Sequence, residues 1–389
     1  MGASRPGDVM RYARILITGA SGFIGSRLCE KLALQYHLPH RALVRNFSRA
    51  ARIARLGTEM VAGDLADQAS LAAALSGCDA VVHLAFGGAR RAEETLVSAC
   101  RAAAVKRLVH ISSMAVHGPT PGPECAREAT ATIKHYGESY SDAKAAAEKV
   151  VQKAIDQGLP GVILRPTVVY GPYSPFVTRV VKDARGGAIS LIDEGAGLCN
   201  AVYVDDVCDA IYAALHSDAA LGKAMFVNAD HAVTWREFNL TFANMVEPPP
   251  SVSNVSAREA RAHWDAVKPS LRTNIAAIKR LAASGDFHDQ LGSVPAFRSA
   301  ITWTKAKLKK FLSADQVRTL KGEASSGVRG ISQPVWPDAG RIVREDFHLE
   351  FSNEFAKMVM DWKPNYDFAA GAAVTRTWLE ATHALVTAP

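Results

Sequence analysis

Three glycines, Gly19, Gly22 and Gly25, stand three residues apart in the stretch RILITGASGFIG, residues 14–25. Ile15, Leu16 and Ile17 before them form a short branched apolar run, which suits a strand buried on both faces. After them Phe23, Ile24, Leu28 and Leu32 recur at helical spacing, with Arg27, Glu30 and Lys31 between. The glycines therefore make a strand-to-helix turn. Glycine permits a sharp turn and close helix–strand packing. A helix start offers unpaired N–H groups and partial positive charge, which suit an anion such as a pyrophosphate. A tight turn without a ligand satisfies the same spacing, which is GxxGxxG rather than GxGxxG.

The alternation continues. Strand-like runs at 14–18, 41–44, 58–62, 80–84, 107–111 and 161–165 are separated by helix-like stretches near 23–36, 48–56, 67–76, 90–104 and 137–157. Such βαβ order predicts an α/β fold, a doubly wound parallel sheet with its ligands at the C-terminal strand ends. Beyond residue 170 the pattern predicts a strand and helix at 201–216, a strand at 224–229, a helix at 234–246 capped by Thr234, and two helices near the C-terminus. The expected organisation is a polar tail at 1–12, a sheet domain at 13–170, and a smaller, mostly helical region at 171–389.

Of 389 residues, 48% are hydrophobic and 21% charged, which suits a soluble globular chain. Six cysteines contain no CxxC pair, and buried free thiols in a reducing, cytoplasmic setting are expected. The scattered histidines give no ligand spacing, so no metal is expected. No leader or membrane span is expected, since no run reaches 18 apolar residues. Residues 251–345 hold 16 Lys/Arg against 8 Asp/Glu, a surplus of 8, so the net charge of +7 leaves the remainder near neutral. The excess marks a basic helical insert at about 250–345. A phosphate-bearing substrate or an anionic surface would suit it, and no nucleic-acid partner is expected. Within it, 301–317 reads as a core-packing helix with a basic outer face rather than a membrane-surface helix.

Two further features carry chemistry. In SYSDAKAAAEKVV (139–151), Tyr140 and Lys144 lie four apart, on one helix face. An ammonium near a phenol favours the phenolate and lowers its pKa from about 10 towards neutrality. In RLVHISSMAVHG (107–118), an apolar strand delivers Ser112 and Ser113 to its C-terminal end. A serine there can bond a substrate oxygen or simply cap the next turn.

In this order, the three features resemble the extended short-chain dehydrogenase/reductases, the NAD-dependent epimerase/dehydratase family. TGASGFIG, GDLAD, VVHLA, ISSMAVHG, YSDAKAAAE, RPTVVYGP and NAVYVDDVCDA carry the likeness over 13–230, and it returns at 352–380. The resemblance implies a Rossmann-type dinucleotide-binding domain at 13–170 and a substrate region at 171–389. It implies that Tyr140 is the acid/base, that Lys144 binds the nicotinamide ribose, and that Ser113 orients the reacting oxygen. Gly19, Ser21, Gly22, Phe23, Ile24 and Gly25 would cradle the dinucleotide. Asp64 and Leu65 would adjoin adenine, Leu84 and Ala85 would line the cofactor, and Pro166 and Val168 would close over the nicotinamide. Thr167, Tyr170 and Asn200 would face the substrate with Ser113. A homodimer through the helices near 90–104 and 137–157 is implied, with Ala102, Ala103, Ala145 and Ala146 allowing close approach.

The second strand ends in RALVRNFSRAAR, without the carboxylate that would accept ribose hydroxyls. Arg45 stands there, with Arg49 and Arg52 behind it, so NADP(H) is favoured over NAD(H). Met114 and Ala115 follow Ser113 where the family's dehydratases and decarboxylases carry an acidic residue. A (nucleotide-)sugar epimerase or reductase is the first reading. A ketone reductase or hydroxysteroid/dihydroflavonol-type dehydrogenase is the second, and a non-catalytic dinucleotide-binding protein the third.

Overall fold

The computed structural model describes residues 11–86, 90–137, 139–266 and 336–385. Met1–Trp264 and Val335–Pro389 make one compact unit. Asp265–Pro334 is a separate unit lying almost wholly outside the described residues, and the helix expected at 301–317 falls there.

The first half runs β1 (Ile15–Thr18), α1 (Phe23–Leu34), β2 (His40–Val44), α2 (Ala51–Ala54), β3 (Glu59–Ala62), α3 (Gln68–Leu75), β4 (Ala80–His83), α4 (Arg90–Ala102), β5 (Arg107–Ile111), α5 (Ser139–Asp156) and β6 (Gly161–Pro166). It continues through β7 (Val168–Tyr170), α6 (Pro175–Arg185), β8 (Ala188–Ile192), β9 (Leu198–Cys199), β10 (Ala201–Tyr203), α7 (Val204–His216) and β11 (Ala224–Val227). Then come β12 (Val233–Thr234), α8 (Trp235–Ala243), β13 (Ser251–Val255), α9 (Ala257–Ala266), α10 (Ala339–Glu345), α11 (Glu354–Met360) and α12 (Phe368–Ala381).

Seven strands form one parallel sheet in the order β11-β6-β5-β4-β1-β2-β3. Alternate residues serve opposite faces. Leu16, Val81, Leu108 and Ile163 pack with Leu71 of α3, Leu96 of α4 and Val151 of α5. Ile17, Val82, Val109 and Val162 pack with Leu28 of α1 and Ile211 of α7. Each such side chain contributes about 1.5–3 kcal/mol by leaving water, which explains why the strands read as unbroken apolar runs.

Beyond β6, short strand pairs and helices gather around Tyr170, whose ring meets Tyr203, Phe238, Phe242 and Phe368. Two adjacent aspartates tie this region together. Asp205 accepts both Nε and Nη2 of Arg27 on α1, at 2.6 and 2.7 Å. Asp206 accepts the backbone N–H groups of Asn365 and Tyr366.

The structure differs from the sequence reading in several places, among them the N-terminal tail and the small residues of α4 and α5. Tyr12, assigned to the tail, is buried, and its hydroxyl donates to the Leu215 carbonyl. Ala145 packs inward, while Ala102, Ala103 and Ala146 are exposed. The six cysteines are free and buried. Among the described residues no helix is long and apolar enough to cross a membrane.

A very close joint lies between β1 and α1. A Cβ on Gly25 would stand 2.1 Å from the Gly19 carbonyl oxygen. Gly25→Ala is therefore expected to cost about 1–3 kcal/mol or more, as overpacking against backbone does. A urea midpoint equal to that of the unmodified chain would refute this.

Candidate active site

The β1–α1 turn is built by absence of side chains. Gly19 has φ +71°, and a Cβ there would lie 2.6 Å from the Ala85 nitrogen. The Leu84 N–H donates to the Thr18 carbonyl at 3.2 Å. The end of β4 thus lies directly alongside the turn, and Leu84 and Ala85 border it. Gly22 is the N-cap of α1, no side chain caps that end, and its first turn holds no acidic residue. Ser21 and Gly22 are exposed, and Phe23 and Ile24 are half-buried. A bare helix start at the C-terminal edge of a parallel sheet fits an anionic dinucleotide.

Ser113 follows β5 in extended conformation and caps the turn Met114–His117, its Oγ accepting the Ala115 N–H at 3.2 Å. Helix α5 packs on that turn. The helix presents Tyr140, 44% exposed, and one turn later Lys144, which is buried. Phe86, just beyond β4, joins the two. Its ring meets Tyr140 edge-on at 5.8 Å, and the Lys144 ammonium lies 4.3 Å from its centroid. Burial pushes the Lys144 amine down to about 8, against the opposing pull of Glu93 and Glu148. Glu148 is itself spent, since it accepts Arg165 and the Ser112 hydroxyl.

The remaining expected residues divide. Pro166 ends β6 and Val168 opens β7. Between them Thr167 is buried, with no hydrogen-bond partner for its Oγ1 among the described residues. Leu65 is buried, and Asp64 accepts the Ala66 N–H at 2.9 Å. Tyr170 and Asn200 are turned into the fold. The Tyr170 hydroxyl is held at 3.3 Å from the Asp367 and Phe368 carbonyls. The Asn200 amide donates to the Leu349 carbonyl at 2.8 Å and accepts the Phe351 N–H at 2.9 Å. Both polar groups clasp the C-terminal segment rather than face a cleft.

The arginines after β2 divide too. Arg45 and Arg49 are exposed near its tip. Arg52 instead grips Glu30 through Nε and Nη2, both at 2.8 Å, and its guanidinium stacks 4.2 Å from the Tyr173 ring. Glu30 also accepts Arg27 and Arg55. Burial would raise its pKa, but the Arg52 and Arg27 contacts override that and hold the carboxyl down to about 2. Phe86 and the Glu30 clamp went unread in the sequence. The available signals were an aromatic directly after VVHLA and an acidic residue inside an apolar helix pattern.

Residues 15–228 match the NAD dependent epimerase/dehydratase family model. The chain belongs to this family. It is similar to the 2-alkyl-3-oxoalkanoate reductase of Stenotrophomonas maltophilia (strain K279a), 30% identical over 58% of this chain and 73% of that protein. It also resembles the 4-hydroxy-2-methyl-3-oxo-4-farnesyl-3,4-dihydroquinoline-1-oxide ketoreductase of Stigmatella aurantiaca, 26% identical over 67% of this chain and 83% of that one. Its fold is that of the Thermus thermophilus UDP-glucose 4-epimerase in complex with NAD. There the TM-score is 0.62 at 20% identity, over 94% of this chain and 99% of the other. A nicotinamide cofactor follows for this family member.

Asn200→Ala tests the clasp. It should lower stability by about 1–3 kcal/mol, the cost of leaving buried polar partners unmade. A thermal melt identical to that of the unmodified chain would return Asn200 to the substrate.

Proposed function

We propose that the protein is an NADP(H)-dependent ketone reductase working through Ser113, Tyr140 and Lys144, on a substrate that is apolar around the reacting carbon. The observation that carries this reading is the convergence of Tyr140, Lys144 and the β4 end on Phe86. Two facts favour ketone reduction over sugar epimerisation. Both relatives by sequence are named as reductases of oxo compounds. Asn200, near which many sugar-nucleotide epimerases carry a diphosphate-binding arginine, is committed to the fold.

When bound, the dinucleotide supplies the hydride. The glycine turn and the start of α1 receive its pyrophosphate, and Arg45 pairs with the adenosine 2′-phosphate. Lys144 holds the nicotinamide ribose hydroxyls. Its positive charge favours the phenolate of Tyr140, so that the phenol gives up its proton readily to the substrate oxygen. Ser113 donates a hydrogen bond to the same oxygen. Phe86 presents an apolar wall beside Tyr140.

Tyr140→Phe should retain cofactor binding while losing about 10²–10⁴-fold in turnover, the usual worth of a positioned proton donor. A 2-alkyl-3-oxo acid series assayed with NADPH is the first panel, and a variant as fast as wild type would remove Tyr140 from the chemistry. Arg45→Ala should weaken NADP(H) by about 10- to 150-fold, the value of a charge-assisted bond of about 1.5–3 kcal/mol, with NAD(H) scarcely changed. Paired titrations decide it. Tighter binding of NAD(H) by the unmodified chain would put the epimerase reading ahead.

A further inference from the structure

Glu148 reaches from α5 into the sheet and takes hold of two neighbouring strands at once. Its carboxylate accepts the hydroxyl of Ser112, the residue directly after β5, at 2.5 Å. It also accepts the guanidinium of Arg165 on β6, through Nη2 at 2.6 Å and Nε at 3.2 Å. None of the three side chains is more than 8% exposed, so water scarcely competes for these bonds. The backbone joins the same two strand ends, the Ser112 N–H donating to the Leu164 carbonyl at 2.8 Å.

Each strand residue in this tie stands immediately before a residue of the site. Ser112 precedes Ser113, and Arg165 precedes Pro166. On α5, Glu148 lies four residues beyond Lys144 and eight beyond Tyr140, on the same helix face. One carboxylate therefore links the helix that carries Tyr140 and Lys144 to both strand ends that carry their counterparts. A buried ion pair is a poor device for stability alone, because apolar residues of similar volume do as well or better. What it supplies is direction. A forked guanidinium–carboxylate contact fixes distance and angle together, whereas an apolar core accepts repacking.

We infer that Glu148, gripping Ser112 and Arg165, is a positioning residue that holds Tyr140 and Lys144 in register with Ser113. The inference rests on the proposed roles of those three residues. It also gives the adjacent serines different tasks. The Ser112 proton is committed to Glu148. The Ser113 hydroxyl accepts from the Ala115 N–H and has no acceptor for its own proton among the described residues, so that proton is left for the substrate oxygen.

The full chain, assayed with NADPH and a 2-alkyl-3-oxo acid, tests this. A misplacement of about 1 Å between reacting groups can cost on the order of 100-fold. Glu148→Gln keeps the shape of the side chain and removes its charge and one acceptor oxygen, and should lower kcat by about 10- to 100-fold. Ser112→Ala leaves the Arg165 pair whole and should give a smaller loss. In a Tyr140→Phe background both losses should shrink, because groups that act as a unit are not additive. Asp218→Asn weakens the Arg107 pair at the opposite end of β5 and serves as the control, lowering the melting temperature with kcat kept. Amide hydrogen exchange gives a second readout without substrate or coenzyme. Both site variants should speed exchange at 111–115 and 143–150 more than elsewhere. Full additivity with Tyr140→Phe overturns the inference. So does a kcat loss no larger than that of Asp218→Asn, or unchanged exchange in those two segments. If Glu148→Gln does not fold, Ser112→Ala decides by the same measures. A Tyr140→Phe chain as fast as the unmodified one would instead overturn the reading of Tyr140, and the exchange data would still decide whether the tie holds α5.

Discussion

The approach of α1 to β1, with the Gly19 carbonyl where a Gly25 side chain would be, positions everything else in the site. It aims a bare helix start at the C-terminal edge of the sheet. It lets the end of β4 lie against Gly19, which carries Phe86 across to Tyr140 and Lys144. Backbone hydrogen bonds, such as that from the Gly22 N–H to the Gly19 carbonyl at 3.0 Å, trim this geometry. What permits it is two side chains that are missing, and a methyl group at either place would collide with backbone that cannot swing aside.

The sheet could be read from sequence because its strands are buried on both faces and therefore leave unbroken apolar runs between helical periods. Helix ends with side-chain caps, such as Thr234 before α8, were equally plain. The region after β2 was not. A helix over 48–56 is replaced by a turn at Phe47–Arg49, capped by Asn46, and the four-residue α2. Tyr12 was missed because one aromatic in a polar tail has no period to announce it.

In the site, residue types were legible and their commitments were not. The glycine turn, Ser113, Tyr140 and Lys144 sit on elements whose local pattern places them. Tyr170 and Asn200 carry the same kinds of polar atoms, yet theirs are used by carbonyls and N–H groups some 150 to 200 positions further along the chain. Local spacing holds no information about such partners. Arg45 and Arg52 look alike in sequence, and only the presence of Glu30 on α1 tells them apart.

That separation of Arg45 from Arg52 bears on how such a protein can change over generations. The guanidinium at the rim is exposed to solvent, whereas the one seven positions later helps to hold α1, Glu30 and Tyr173 in place. If the first pairs with the adenosine 2′-phosphate as proposed, a change there alters the choice of nicotinamide coenzyme. A change at the second breaks the contacts that join Glu30 of α1 and Tyr173. The proposed coenzyme contact and the arginine clamp are thus separate targets for substitution.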